Sequence, residues 1–132
     1  MIVDSSALIA IIGREPDHDR MEQALISADA SKIGAPTRLE AGMVALARWG
    51  VRGKTLLARL LQERRIETIP FTDEHAEVAL DAFHRYGKGR HPAALNFGDC
   101  LTYATAYLAA EPLLFVGDDF VHTDLALVDV KA

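Results

Sequence analysis

The β-branched pair Ile2-Val3, running straight into Asp4, constrains this chain more than any other stretch. Two such residues bounded by a polar turn read as a short buried strand. Ser5 and Ser6 are good helix caps, and residues 7–12 then read as a short buried helix. A buried strand that leads directly into a helix belongs in a parallel sheet. Asp4 therefore stands at the strand's carboxyl end, where open α/β sheets bind their ligands.

The rest of the chain repeats this alternation. Residues 17–28 read as an amphipathic helix with Met21, Leu25 and Ile26 on one side, and 31–35 as a short strand. Thr37 is placed to cap a helix that runs to about Trp49 before Gly50. Residues 53–65 form another, with Leu56, Leu57, Leu60 and Leu61 on one face. Residues 66–71 alternate like a strand. Thr72 then caps a helix over 73–86, whose Ala76, Ala79, Leu80 and Phe83 fall at core spacing. A loop rich in glycine and basic residues, 86–92, leads to Asn96, which caps a helix over 97–110. Residues 113–116 are the cleanest buried strand, and Leu127-Val128 would be a last short one. Parallel neighbours need helical crossovers. The expectation is a three-layer α/β fold, with a central, mostly parallel sheet of about five strands and helices on both faces. No repeat or linker divides the chain, so one domain over 1–132 is expected.

Composition limits the partners. The 19 acids outnumber the 14 Lys and Arg, for a net charge of −5, so charge alone would not hold a nucleic acid. The single cysteine, Cys100, cannot form an internal disulfide and suits a reducing cytoplasm. The amino end has no basic region ahead of its apolar residues, and the run 7–12 is too short to span a bilayer, so neither secretion nor membrane insertion is expected.

The acids fall at structural boundaries. Asp4 follows the first strand, Asp118 and Asp119 follow the strand at 113–116, and Glu40 and Asp99 each sit in a helix's first turn. If the two strands are neighbours, these carboxylates converge on one crevice, where they repel one another unless cations intervene. Hard oxygen ligands of this kind suit Mg2+ or Mn2+ and support two-metal phosphoryl transfer. Local roles compete with this reading. Thr37-x-x-Glu40 has capping-box spacing, Asn96-x-x-Asp99 resembles it, and both Asp4-Ser5 and Gly117-Asp118-Asp119 are ordinary turn compositions. Cys100 reads as a core residue without a neighbouring base. His18, His75, His84, His91 and His122 show no metal-ligand spacing.

Taken together, Val3-Asp4-Ser5-Ser6-Ala7, the early-helix Glu40, Asn96-Phe97-Gly98-Asp99-Cys100 and Leu114-Phe115-Val116-Gly117-Asp118-Asp119-Phe120 resemble a PIN domain. The loop Tyr86-Gly87-Lys88-Gly89-Arg90-His91-Pro92-Ala93 leading into Asn96 is similar to the VapC toxins of bacterial toxin-antitoxin pairs. The resemblance covers nearly the whole chain. It implies a Mg2+-dependent endoribonuclease that hydrolyses RNA by two-metal chemistry, leaving a 3′-hydroxyl and a 5′-phosphate. It also implies a VapB-type antitoxin, a homodimer and a cytoplasmic location. Asp4, Glu40, Asp99 and Asp118 would be the catalytic and metal-binding acids, with Asp119, or Asp124, as alternatives for the fourth. The Gly-Asp-Asp-Phe ending differs from the commoner family pattern, in which a single acid follows Thr-Arg. Ser5, Ser6 and Asn96 would orient carboxylates or water. Arg85, Lys88, Arg90 and His91 would hold RNA phosphates, and Trp49 would belong to a dimer or antitoxin surface. A receiver-type phosphorylation domain or an Asp-x-Asp phosphatase would need a second acid where Ser5 or Ser6 stands. A PIN-like module that only binds RNA or a protein partner is the remaining alternative.

Overall fold

The computed structural model describes residues 1–130, so the last two residues of the expected domain lie outside the described residues. The elements run β1 (Ile2–Val3), α1 (Ser5–Ile12), α2 (His18–Ser27), β2 (Lys32–Gly34), α3 (Ala35–Glu63), β3 (Glu67–Ile69), α4 (Asp73–Tyr86), α5 (Phe97–Ala109) and β4 (Leu113–Leu114). The strands form one sheet in the order β3-β2-β1-β4, and every pairing is parallel.

Alternation along the strands builds the two cores. Val3, Ile33 and Leu114 face α1, α2 and the second half of α3. Ile2 and Leu113 face the other way, onto α4 and α5, where Tyr103, Ala104 and Phe120 close the layer. Helices on both faces of a parallel sheet make three layers, as the sequence predicts. No helix of the described residues is long and apolar enough to cross a membrane.

The sheet has four strands where about five were expected. Leu113 donates its N–H to Ala126 and accepts from Val128, so the expected last strand reduces to one bridge between Leu113 and Leu127. The strand expected over 113–116 stops at Leu114 because the Val116 amide donates to the Ser6 hydroxyl at 3.0 Å instead of to a ladder. Three helix starts also differ from expectation. Asp4, rather than Ser5 or Ser6, caps α1, its carboxylate accepting from the Ser6 amide. Helix α3 begins two residues ahead of Thr37, with Gly34 in the cap position, so Thr37 is buried inside the first turn and forms no capping box with Glu40. Helices expected over 37–49 and 53–65 are joined in α3 with one break, at Gly50, whose φ of 65° and ψ of −153° favour glycine.

In α4 the buried residues are Ala79, Ala82 and Tyr86, while Leu80 and Phe83 are exposed. Small alanines let α4 approach α5 closely, and the larger side chains are left on the rim. Trp49 is half-buried against Gly13, where a Cβ would overlap the indole, so part of the ring packs within this chain and part stays exposed.

Candidate active site

The sheet changes direction at β1, since the chain runs from β1 to β2 on one side and returns to place β4 on the other. In open parallel sheets such a switch point leaves a crevice beyond the strands' carboxyl ends. The Asp4 amide donates to the Leu114 carbonyl at 2.9 Å, which fixes the ends of β1 and β4 together. Asp4 is thereby held at the floor of the crevice, 7% exposed.

Asp4, Glu40 and Asp99 are each held there by amides or hydroxyls. Asp4 Oδ2 accepts from the Ser6 amide at 3.2 Å and the Ser6 hydroxyl at 2.7 Å, and Oδ1 accepts from the Thr102 hydroxyl at 2.7 Å. Thr102 Oγ1 lies 3.1 Å from Thr37 Oγ1, and both threonines are buried. Ser5 donates to Glu40 Oε1 at 2.9 Å. Asp99 and Asn96 form a reciprocal cap, in which the Asn96 amide donates to Asp99 Oδ2 at 3.1 Å and the Asp99 amide to Asn96 Oδ1 at 2.9 Å. Asp99 thus carries a capping role and still sits in the crevice, 8% exposed.

The acids converge unequally. Burial, helped by the Asp119 and Asp4 carboxylates, pushes the Asp99 carboxyl up to about 7 against the lowering effect of the Asn96 amide. Asp119 is close enough to Asp99 to act on its carboxyl. Asp118 and Asp119 are both exposed, and of the two only Asp119 is among the groups acting on Asp99. Glu40 joins the crevice through Gly98, since a Cβ there would overlap the Glu40 carboxylate. The room that Gly98 leaves is therefore filled by Glu40. Asp124 is engaged elsewhere: it accepts from the Tyr103 hydroxyl at 2.6 Å and Arg85 at 3.4 Å. Burial alone would raise the Asp124 carboxyl, but these two donors hold it below its ordinary value.

The basic loop is more occupied than its sequence implies. Arg85 pairs with Asp124 and Asp81 and stacks 4.8 Å over the Tyr86 ring. Arg90 lies 5.8 Å over Phe83, and His91 Nδ1 accepts from the Ala93 amide at 3.0 Å. Lys88 is exposed. The loop is closed by the Lys88 amide donating to the Leu95 carbonyl and the Leu95 amide to that of Tyr86. Cys100 is buried, and burial together with Asp99 pushes its thiol up to about 11, which rules out a ready thiolate nucleophile.

The donor set fits a divalent cation. Among the described residues, none of the ion pairs includes Asp4, Glu40, Asp99, Asp118 or Asp119, so their charge has no side-chain cation to balance it. Buried carboxylates without such a partner are stable only with protons or bound ions, and a set of hard oxygens suits Mg2+ or Mn2+. Among the described residues the one group of three ligand atoms lying within 4.8 Å of one another is on His18, Asp19 and Glu22, so the crevice acids stand wider apart than that. The sequence did not anticipate it. It sits on α2, which carries none of the crevice acids, and Glu22 also pairs with Arg64 at 3.6 Å.

Thr37 and Thr102 were missed in the sequence. The position of Thr37 points to a cap and hides its role, and Thr102, three residues after Asp99, lies where a helix turn would aim it at the same crevice.

Comparisons with known proteins agree with this architecture. The PIN domain family pattern matches residues 1–125. Ribonuclease VapC36 of Mycobacterium tuberculosis is 49% identical over 126 residues, which cover 95% of this chain and 91% of that protein. Ribonuclease VapC30 of the same species is 39% identical over 128 residues, covering 97% and 98%. In structure, the chain is similar to M. tuberculosis VapC20, a sarcin-ricin-loop-cleaving toxin, with a TM-score of 0.79 at 16% identity, covering 96% of this chain and 97% of that one. It is also similar to a chain of a toxin-antitoxin complex from Klebsiella pneumoniae, with a TM-score of 0.71 at 19% identity, covering 96% and 95%. An acid-lined crevice at a sheet's switch point, on a chain this similar to VapC ribonucleases throughout, places the protein in the PIN domain family, among the VapC ribonuclease toxins of toxin-antitoxin systems.

Proposed function

We propose that the chain is a Mg2+-dependent endoribonuclease toxin of the cytoplasm, acting by two-metal phosphodiester hydrolysis and restrained by a VapB-type antitoxin. The observation that carries this reading is the group Asp4, Glu40, Asp99 and Asp119, gathered at the crevice without a balancing side-chain cation. Asp119 takes the place of the fourth acid, because it is the one that bears on Asp99. Divalent ions held there would supply an activated water and a stabilised leaving oxygen. The protein's own part is to hold the carboxylates in place. Ser6 and Thr102 fix Asp4, Ser5 fixes Glu40 and Asn96 fixes Asp99. A crevice this acidic repels RNA phosphates until cations bind, so the same ions that serve the chemistry also admit the substrate. Exposed Lys88 is the basic side chain of the loop that we assign to RNA phosphates, with Arg85, Arg90 and His91 shaping the loop around it.

A second copy of the chain and the antitoxin are the protein partners in this reading. Leu39, Met43, Leu46 and Val51 leave an apolar surface on α3 of the kind that a protein partner covers.

The test is cleavage of labelled RNAs by the purified chain with Mg2+, with EDTA, and with Asp4→Asn or Asp99→Asn. The panel includes transfer RNA, messenger RNA and a sarcin-ricin-type ribosomal loop, the last because VapC20 cuts one. Discrete cuts that need both Mg2+ and the two aspartates are expected. RNA bound but never cut would leave a binding module, and equal cutting by the variants would overturn the assignment of the site.

A further inference from the structure

The groups that hold Asp4 come from three distant parts of the chain, and their chemistry fixes the direction of each bond. An ionised carboxylate only accepts, so Thr102 must donate its one hydroxyl proton to Asp4 Oδ1, 2.7 Å away. Thr37, 3.1 Å behind it, must then donate to Thr102. Thr37 is 2% exposed and Thr102 1%, so bulk water cannot replace either donor. On the other side, Ser6 fills both acceptor positions of Asp4 Oδ2 with its amide and its hydroxyl. One acceptor position remains, on Oδ1.

We infer that Thr37 and Thr102 form a two-step hydroxyl relay that positions Asp4, so that it offers a divalent cation one oxygen, Oδ1, in one orientation. The inference rests on the reading of the crevice as a divalent-metal site. Thr102 acts on Asp4 directly, and Thr37 acts only through Thr102. Hydrogen bonds in such a chain polarise one another, so the outer donor strengthens the inner one. The relay also ties three elements to one carboxylate: α3 through Thr37, α5 through Thr102, and the end of β1 through Asp4 itself. Valine matches threonine in shape, so packing alone would be satisfied by valine at both positions.

The experiment compares the full-length parent with Thr102→Val, Thr102→Ser, Thr37→Val and the double valine variant. It measures Mn2+ binding by calorimetry, the Mg2+ concentration for half-maximal RNA cleavage, and metal-free melting. Thr102→Val should weaken Mn2+ binding by about 10- to 100-fold, the range for losing a group that orients a ligand, and raise the Mg2+ requirement in parallel. Thr102→Ser should restore affinity close to the parent's. Thr37→Val should weaken it less, and the double variant should be no weaker than Thr102→Val alone, because the two act in series. A purely structural role would lower the melting temperature and leave Mn2+ affinity where it was. Parental affinity in Thr102→Val, or full addition of the two effects, overturns the relay. If Thr102→Val fails to fold, parental affinity in Thr37→Val does the same. A parent that binds no Mn2+ overturns the metal-site reading and the relay with it, whereas a binding parent matched by Thr102→Val overturns the relay alone.

Discussion

The two edges of the sheet handle charge in opposite ways. At the amino edge Glu111 stands between two cations, the Met1 amino group at 2.8 Å and Lys32 Nζ at 2.7 Å. Lys32 and the amino group hold the Glu111 carboxyl below its ordinary value, and Glu111 holds the Lys32 ammonium above its own. At the carboxyl edge, burial and neighbouring acids push Asp99 up to about 7. One edge is neutralised within the chain and the other is not. A fold that pairs its acids at one edge, yet gives Asp4, Glu40 and Asp99 at the other only hydroxyls and amides, has the charge imbalance that the proposed divalent-metal site requires.

The sharpest way to break this comparison is to remove one acid from the unpaired edge. Asp99→Asn or Asp4→Asn should reduce Mg2+-dependent RNA cleavage by on the order of 10³-fold, the scale for losing a preorganised electrostatic group, as read by gel or fluorescence assay. The same change at Glu111 should leave the rate alone.

The pH dependence sharpens it further, because the two edges have opposite signs. Asp99 has its folded value raised from 3.8 to about 7, so its contribution to stability is intact at acid pH and lost as pH climbs through about 7. Metal-free melting should show stability falling between pH 5 and 8 by at most about 3 kcal/mol, a ceiling set by the roughly two pH units between pH 5 and the raised value of Asp99. Asp99→Asn should flatten that fall and melt higher than the parent at pH 8. Glu111, with its value lowered, stabilises above its ordinary range, and that stabilisation is lost as pH falls below it.

At pH 8 added Mg2+ should restore what the parent loses. Saturation to 100 times the dissociation constant would contribute about 2.7 kcal/mol, visible as a rise in Tm that Asp99→Asn lacks. A parent with no Tm response would remove the contrast between the edges. The smallest effect belongs to the paired edge: Glu111→Gln should lower the Tm by at most roughly 3 °C, as the loss of partly exposed ion pairs does, and leave the Mg2+ response intact.

Much of this was legible in the sequence because it depends on local order. Asp4 after Ile2-Val3, Asp99 three residues beyond Asn96, and helices alternating with strands all leave a signature within a few residues. What was not legible depends on contacts between distant parts of the chain. Thr37 is 65 residues from Thr102, and only the packing of α3 on α5 brings them together. Where Asp118 and Asp119 lie depends on the path of a loop that leaves β4 early, and that early exit is set by the Ser6 hydroxyl, 110 residues away from Val116. Leu80 and Phe83 have core spacing but lie outward, because the alanines of α4 already fill the space against α5.

The unpaired edge also bears on how such a protein is lost over time. If Asp99 serves the proposed metal site, an amide there should end the chemistry and, by removing a buried acid whose carboxyl is pushed up, stabilise the metal-free fold in the same step. A disabling mutation of this kind would not clear the protein from the cell. It would leave an inert copy, sturdier than its parent, with the surface of α3 untouched and still able to occupy any partner that surface binds. Silencing of this toxin by point mutation should therefore yield persistent decoys more readily than unfolded remnants.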